Sequence, residues 1–471
     1  QRPRSGVRQQ LPVPRSARPP VLRTRGHRSA ERQNAIHRRT LPEPEPTPLA
    51  ATIAAAPAPI ALLPLPLLDS AVVILFLTLI SGAFVPILVE KLVSPQAPKW
   101  AFYFLIYALG GVMAAQRWRL VAGGIRANPG LLFMIGMALS STFWSVLPGE
   151  TLAASFTLMG PMLFAVMLAA AVRPEEALRL MAMACFCIVV CNWIAIVAVP
   201  SVGIEQHGPW VGTPRGLHVQ KNALGATAAL TLTAFAIYFA SDPRGRRLWV
   251  LVGFALGVGL LIASRSTTST ILGISGVAML FLPRLALRFG ALALPTAIGA
   301  IAFAFAVSPE LSGRVLETLA PLVGKDATMS NRLPIWQILM GYLEARPWLG
   351  YGYGVFWNDS ISPALLFERR LGFDPGSAHN GLIEVWLAIG LVGVAGCIAA
   401  LVRFFFLVAR ALKVVGATPM VRLAFSIGVL QIAHNVTESA FLQRNDFEWM
   451  LFVWVWAAVG VALVRSKTST A

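Results

Sequence analysis

The stretch SAHNGLIEVWLAIGLVGVAGCIAALVR, Ser377–Arg403, decides the fold class. After Asn380, residues 381–402 contain one charged side chain, Glu384, and are otherwise apolar or glycine. A helix rises about 1.5 Å per residue, so about 20 apolar residues cross the roughly 30 Å hydrocarbon core of a bilayer. The stretch is therefore predicted to be a transmembrane helix. Segments of the same kind recur along the chain. Of its 471 residues, 56% are apolar and only 13% charged, and the mean hydropathy is +0.68. A soluble domain carries about 25% charged residues. Composition thus argues against a soluble enzyme, and the expected class is an all-α polytopic membrane protein.

Hydropathy marks twelve candidate spans: 71–89, 100–115, 129–147, 151–172, 177–199, 222–240, 247–263, 268–283, 286–307, 380–402, 420–437 and 447–464. Residues 1–58 are expected to be a disordered, Arg- and Pro-rich cytoplasmic tail. Residues 59–307 carry spans one to nine. A loop of 308–379 follows, then spans ten to twelve in 380–464 and a short tail at 465–471. The apolar run near Ala71 outlasts a signal peptide, so no cleavable signal is expected. All four cysteines (Cys185, Cys187, Cys191, Cys397) lie in apolar segments and read as small packing residues.

The net charge of +18 does not require nucleic acid. Eleven arginines lie in the first 39 residues, and most other basic residues sit at span ends. With a cytoplasmic N-terminus, the inner connections hold sixteen basic residues, among them Arg117, Arg119, Arg126, Arg403 and Arg422. The short outer connections hold six: Lys91, Lys99, Arg215, Lys221, Arg265 and Arg444. Cytoplasmic loops are enriched in Lys and Arg, so both termini are expected inside.

Two outer segments, 200–221 and 308–379, are too polar for simple connectors. In the longer one, Asn331 is placed to cap a helix through about Ala345, with Pro334 in its first turn. Ile335, Trp336, Ile338, Leu339, Tyr342 and Leu343 give that helix an apolar face for the membrane surface or for roofing a cavity. The candidate residues cluster in these outer segments: His207, Arg215, His218 and Lys221; then Arg265; then Arg332; then His379 and Asn380. Arginine donates in a planar fork that suits phosphate oxygens, and several cations at one embedded site suit a diphosphate. His379 is expected in the first turn of span ten, with Ser377 as a cap, where a helix N-terminus favours an anion. A neutral imidazole there can also accept a proton. Each residue has a plainer reading. Basic side chains near helix ends snorkel to headgroups, and a histidine at a helix start often caps it. His434 and Glu438, four apart on span eleven, read equally as a structural polar pair or as site lining. Within span ten, Glu384 points well round the helix from His379. The aromatic turn LGYGYGVFW, 349–357, reads either as a sugar-stacking surface or as a glycine turn packed on the membrane. No outer acidic pair or His/Cys cluster suggests a metal, and no cofactor is expected.

Twelve expected spans, a large outer loop before span ten, and His379–Asn380 followed by nine residues and then Gly390-x-x-Gly393 resemble the bacterial O-antigen ligase and polymerase superfamily. QKNALG (220–225), SRSTTS, NRLPIW and PWLGYGYGVFW look most like its exopolysaccharide-polymerase branch. The family's Arg-x3-Leu pattern appears as Arg215 to Val219, with valine in place of leucine. The resemblance covers about 200–440. It implies a GT-C-like glycosyltransferase of the bacterial inner membrane, acting at the periplasmic face. The donor would be an undecaprenyl-diphosphate-linked glycan, and the acceptor another glycan or lipid A–core. It also implies membrane lipids, a chain-length regulator and a flippase as partners, and no nucleic acid. On that reading His379 and Arg215 are the expected catalytic residues. Arg265, Lys221, Arg332, His218 and Asn380 are expected to bind substrate. The rival reading is a lipid-linked oligosaccharide flippase or exporter without catalysis. It also calls for many spans and intramembrane cations, but no internal repeat is evident.

Overall fold

The computed structural model describes residues 66–82, 96–206, 210–242, 248–282, 284–307, 332–358 and 360–468, all within one compact unit, Ala61–Ala471. The N-terminal tail, His207, the first part of the long outer loop including Asn331, and residues 469–471 lie outside these. Regular structure among the described residues is helical: α1 (Leu67–Leu79), α2 (Gln96–Gln116), α3 (Trp118–Ala127), α4 (Pro129–Ser140), α5 (Pro148–Ala171), α6 (Pro174–Ala198), α7 (Lys221–Ser241), α8 (Leu248–Ala263), α9 (Thr267–Leu280), α10 (Arg284–Val307), α11 (Arg332–Ala345), α12 (Ala364–Leu371), α13 (Gly381–Val414), α14 (Pro419–His434) and α15 (Phe447–Thr468).

Local sequence sets several of these starts. Pro129, Pro148, Pro174 and Pro419 occupy the first helical position, where a missing N–H costs nothing. Thr418 caps α14 by accepting from Val421 N at 3.4 Å. The helices are apolar almost all round, so they bury one side against each other and present the rest outward. Val197, Ile262, Ile274 and Phe289 are among the exposed apolar side chains, a surface suited to lipid. The interior is centred on α15, whose Trp449, Trp454 and Trp456 are fully buried. It packs on α5 and α14, while α7 packs on α8 and α9.

Each expected span overlaps a helix, but length separates them. Among the described residues, α5, α6, α7, α13 and α15 are long and apolar enough to cross a membrane, and α3 with α4 to Phe143 forms a pair bent by 93° that can count as one more. Helices α1, α8, α9 and α14 are apolar but shorter. The chain is a multi-pass membrane protein. Hydropathy marks apolar stretches without registering breaks, so it does not tell which of them reach across.

Two breaks shape the bundle. At the first, the Asn128 side chain donates to Gly124 O at 2.9 Å and to Ala457 O at 3.3 Å. The second lies inside α13 at Gly390, with φ 73° and ψ −172°. A continuous helix would bond Leu391 N and Val392 N to the Leu387 and Ala388 carbonyls. Here those amides bond to Pro347 O at 2.8 Å and Trp348 O at 3.3 Å, and the freed carbonyls accept from Tyr351 N at 2.8 Å and Gly352 N at 2.9 Å. The loop after α11 thus fills the gap and satisfies these four displaced groups. It then runs on to α4 and its 3-10 turn: Val146 N donates to Tyr351 O at 3.0 Å, and Tyr353 N to Ser141 Oγ at 3.0 Å.

Candidate functional site

The HN pair and the glycine pair nine residues later define one rigid half-helix, 381–389. Its start is capped by Asn380, whose Oδ1 accepts from Leu382 N and Ile383 N at 3.0 and 3.1 Å. Asn380 therefore takes the capping position that the sequence reading gave to Ser377, and His379 stands one residue before the cap rather than in the first turn. Asn380 also donates to Val436 O at 3.3 Å, and Gly381 N bonds to Asn435 O at 2.9 Å. These contacts fasten the half-helix to the turn that follows α14, which carries Glu438. His379 itself has φ 47°, a left-handed conformation uncommon outside glycine.

That arrangement sets His379 Nδ1 2.8 Å from Glu438 Oε2. The other oxygen, Oε1, accepts from Arg332 at 2.5 Å and from Asn222 Nδ2 at 3.1 Å. Arg332 also donates from Nε to Thr437 O at 2.6 Å. Burial works against charge on Glu438, but the His379 and Arg332 groups beside it hold the carboxyl well below the usual carboxylate range. Trp336 of α11 closes the site from above, donating to Ala378 O at 2.9 Å. The apolar face expected of α11 is buried here, with Ile335, Trp336, Ile338, Leu339 and Leu343 against the bundle.

Glu438 was legible only as a neighbour of His434. Both line the cavity and Glu438 N bonds to His434 O at 2.9 Å, but their side chains pair elsewhere: α14 ends at His434, whose Nδ1 bonds to Glu448 at 2.8 Å. The signal that could have found it is a carboxylate at the end of an apolar span, which needs a buried partner. Glu384 is buried and engaged elsewhere, accepting from Trp357 Nε1 at 2.8 Å and from Ala378 N at 2.9 Å. Neither Asn222 nor Glu384 was nominated as a site residue.

The remaining candidates lie on the α7 side. Lys221 opens α7 and its ammonium sits 3.7 Å from the centre of the Trp210 ring. Arg265, exposed and at φ 49°, lies in the turn before α9, close enough for its charge to act on Lys221. Gly225, one turn below Lys221, makes this approach achievable. A Cβ there would press on Ser264 Oγ and Ser269 Oγ, so only glycine lets that turn pack so closely. Arg215 is buried and turned into its own loop, donating from Nε to Val202 O at 3.0 Å and facing Glu205 at 3.7 Å. His218, three residues on, is buried. Burial pushes its imidazole down to about 4, so it is neutral near pH 7.

A cavity of about 450 Å³ lies between these groups. His218 and Asn222 line one side, Gly376, Ser377 and Glu438 another, and Tyr353, Phe356 and Trp357 a third. The structure thus brings His379, Asn380, Arg332 and Asn222 together around Glu438, and Lys221 with Arg265 beside them. It leaves Arg215 bound to its own loop.

Residues 221–398 match the family model described as O-antigen ligase. Over 256 residues the chain is 29% identical to the exopolysaccharide production protein ExoQ of Rhizobium meliloti, covering 50% of this chain and 56% of the relative. Over 214 residues it is 31% identical to the O-antigen ligase of Pseudomonas aeruginosa, covering 45% and 47%. The chain spans about half the length of the curated relatives it matches. The resemblance to the superfamily, and to its exopolysaccharide branch, stands on these matches. The matched domain takes in Lys221, Arg265, Arg332, His379 and the glycine break, and leaves Arg215, His218 and Glu438 outside.

Proposed function

We propose that the protein is a membrane glycosyltransferase of bacterial surface polysaccharide assembly. It transfers a glycan from undecaprenyl diphosphate to an acceptor sugar hydroxyl at the periplasmic face of the inner membrane. The observation that carries this reading is the His379–Glu438–Arg332 chain beside a cavity. Glu438 accepts the Nδ1 proton of His379, which fixes the tautomer and leaves Nε2 to accept. An acceptor hydroxyl gives its proton to Nε2 as its oxygen attacks the anomeric carbon. The bond from that carbon to the diphosphate oxygen breaks, and the diphosphate leaves with the electron pair. In-line attack inverts the anomeric centre. A diphosphate leaves readily, so the protein's task is positioning and charge stabilisation. Lys221 and Arg265, two like charges held close, suit the departing anion, with Arg215 behind them. Arg332 acts through Glu438.

One relative is named for exopolysaccharide production and the other as a ligase, so both acceptors remain in the proposal: another lipid-linked repeat, or lipid A–core. Reconstitution with a defined lipid-linked repeat, with and without lipid A–core, tests it. Longer lipid-linked product identifies a polymerase, and glycan moved to lipid A–core a ligase. No transfer to either acceptor would favour the exporter reading, in which deletion strands repeats inside the cell.

A further inference from the structure

The cavity wall is rich in carboxyl groups and suits a diphosphate poorly. Glu384, Glu438, Asp446 and Glu448 all line it, with Arg444 and the imidazoles of His218 and His434 among the described lining residues. The cations suited to the anion, Arg215, Lys221, Arg265 and Arg332, are not part of that wall. A carboxylate-rich pocket with aromatic faces is instead what sugar hydroxyls and C–H faces require. Trp357 supplies such a face, and it is itself stacked on Phe367 at 5.9 Å and 25°. The volume of about 450 Å³ falls in the ~300–1,000 Å³ range of ligand pockets.

A second feature points the same way. His218, 3% exposed, lines the cavity, and its Nε2 has no hydrogen-bond partner. An unpaired buried polar atom is costly and usually marks a group waiting for a ligand. The geometry points to a seat for uncharged sugar residues of the acceptor, one that selects against acidic sugars. Naming the acceptor rests on the transfer reading; the selectivity rests on the wall. A uronate entering the cavity would face four carboxyl groups that already have partners: Arg332 and His379 at Glu438, His434 at Glu448, Trp357 at Glu384, and the Trp449 amide at Asp446. The fourth, Asp446, is pushed up to about 7 by burial and by the charge of Glu448. It is partly protonated near neutral pH and can then donate to a sugar oxygen, but a second carboxylate beside it would be repelled as it ionises.

Calorimetric titration of the full chain in lipid nanodiscs tests this at pH 8. The probes are a panel of neutral hexose tetrasaccharides and their counterparts carrying a terminal uronate. Neutral members are expected to bind at least tenfold more tightly, with Arg444→Gln widening the gap and Asp446→Asn narrowing it. Equal or tighter uronate binding overturns the assignment, and so does no binding of any member. Turnover of a lipid-linked repeat by the same preparation scores the transfer reading separately. Selective binding without turnover keeps the pocket and removes the transferase. Turnover with unselective binding does the reverse.

Discussion

The two helix breaks are closed in different ways. At Asn128 the closing group is a side chain of the break itself, bonding to Gly124 O and Ala457 O within the bundle. At Gly390 the closing groups are backbone atoms from Pro347 to Gly352, some forty residues upstream. A break closed by its own residue only redirects a span. A break closed by a remote segment also fixes that segment, and here the segment continues into Tyr353, Phe356 and Trp357 of the cavity wall. The half-helix 381–389 is consequently anchored at both ends, by the docked loop below and by the Asn380 cap above. His379 hangs from its upper end. One break therefore belongs to the architecture, and the other to the proposed chemistry.

The sharpest way to break that comparison is Gly390→Val. At φ 73° a branched side chain is strained by about 1–2 kcal/mol, and its Cβ would fall on the Trp348 carbonyl. The docked loop is expected to leave, and with it nearly all glycan output, read on a ladder gel beside a melting curve in detergent. Near-normal output would mean that the loop does not need the break. His379→Ala comes next: output is expected to fall at least tenfold while the protein inserts and melts normally, as for loss of a general base. Arg215→Ala is expected to lose at least tenfold as well. If Arg215 serves the anion, its variant keeps a normal melting curve; if it only staples the 202–205 loop, the melt falls with the activity.

Sequence alone reached the apolar helices and the HN-to-glycine spacing, and it nominated His379 and Arg332, which the structure brings to Glu438. Those are local: apolar runs, charge placement, and residues on one helix. It did not reach Glu438 as the partner of His379, because that contact joins two segments 59 residues apart and neither carries a spacing signal. It assigned the cap to Ser377 because serine at that position is a good cap, whereas the left-handed turn at His379 delays the helix start by three residues and gives the task to Asn380. The aromatic turn 349–357 remained open between two readings for the same reason. Its conformation is decided by carbonyls released on α13, which no local pattern announces.

Glu438→Gln has a smaller expected effect, about tenfold on turnover, because the amide can keep one contact to His379 but not the charge. Its pH behaviour carries a sign. The folded carboxyl is held below the unfolded value of about 4.3, so its stabilising contribution is fully present above that value and is lost only as pH falls below it. Melting curves of the wild type and Glu438→Gln are therefore expected to differ by a constant amount from pH 8 to pH 5, and to converge only under strong acid. Convergence already between pH 7 and pH 6 would show that the carboxyl is not ionised in the native protein.

Asn128→Ala has the smallest effect on turnover and bears directly on the contrast between the breaks. The side chain is fully buried, and its amide donates to Gly124 O and, across to α15, to Ala457 O. Losing these bonds in an apolar interior costs about 1–3 kcal/mol. The helix pair should still bend, because Pro129 cannot continue the hydrogen bonding of α3. The melting temperature is therefore expected to drop, while turnover per folded molecule stays within about twofold of the wild type. A tenfold loss of turnover at unchanged stability would place the first break on the same footing as the second, and the distinction between a self-closed and a remotely closed break would lose its functional meaning.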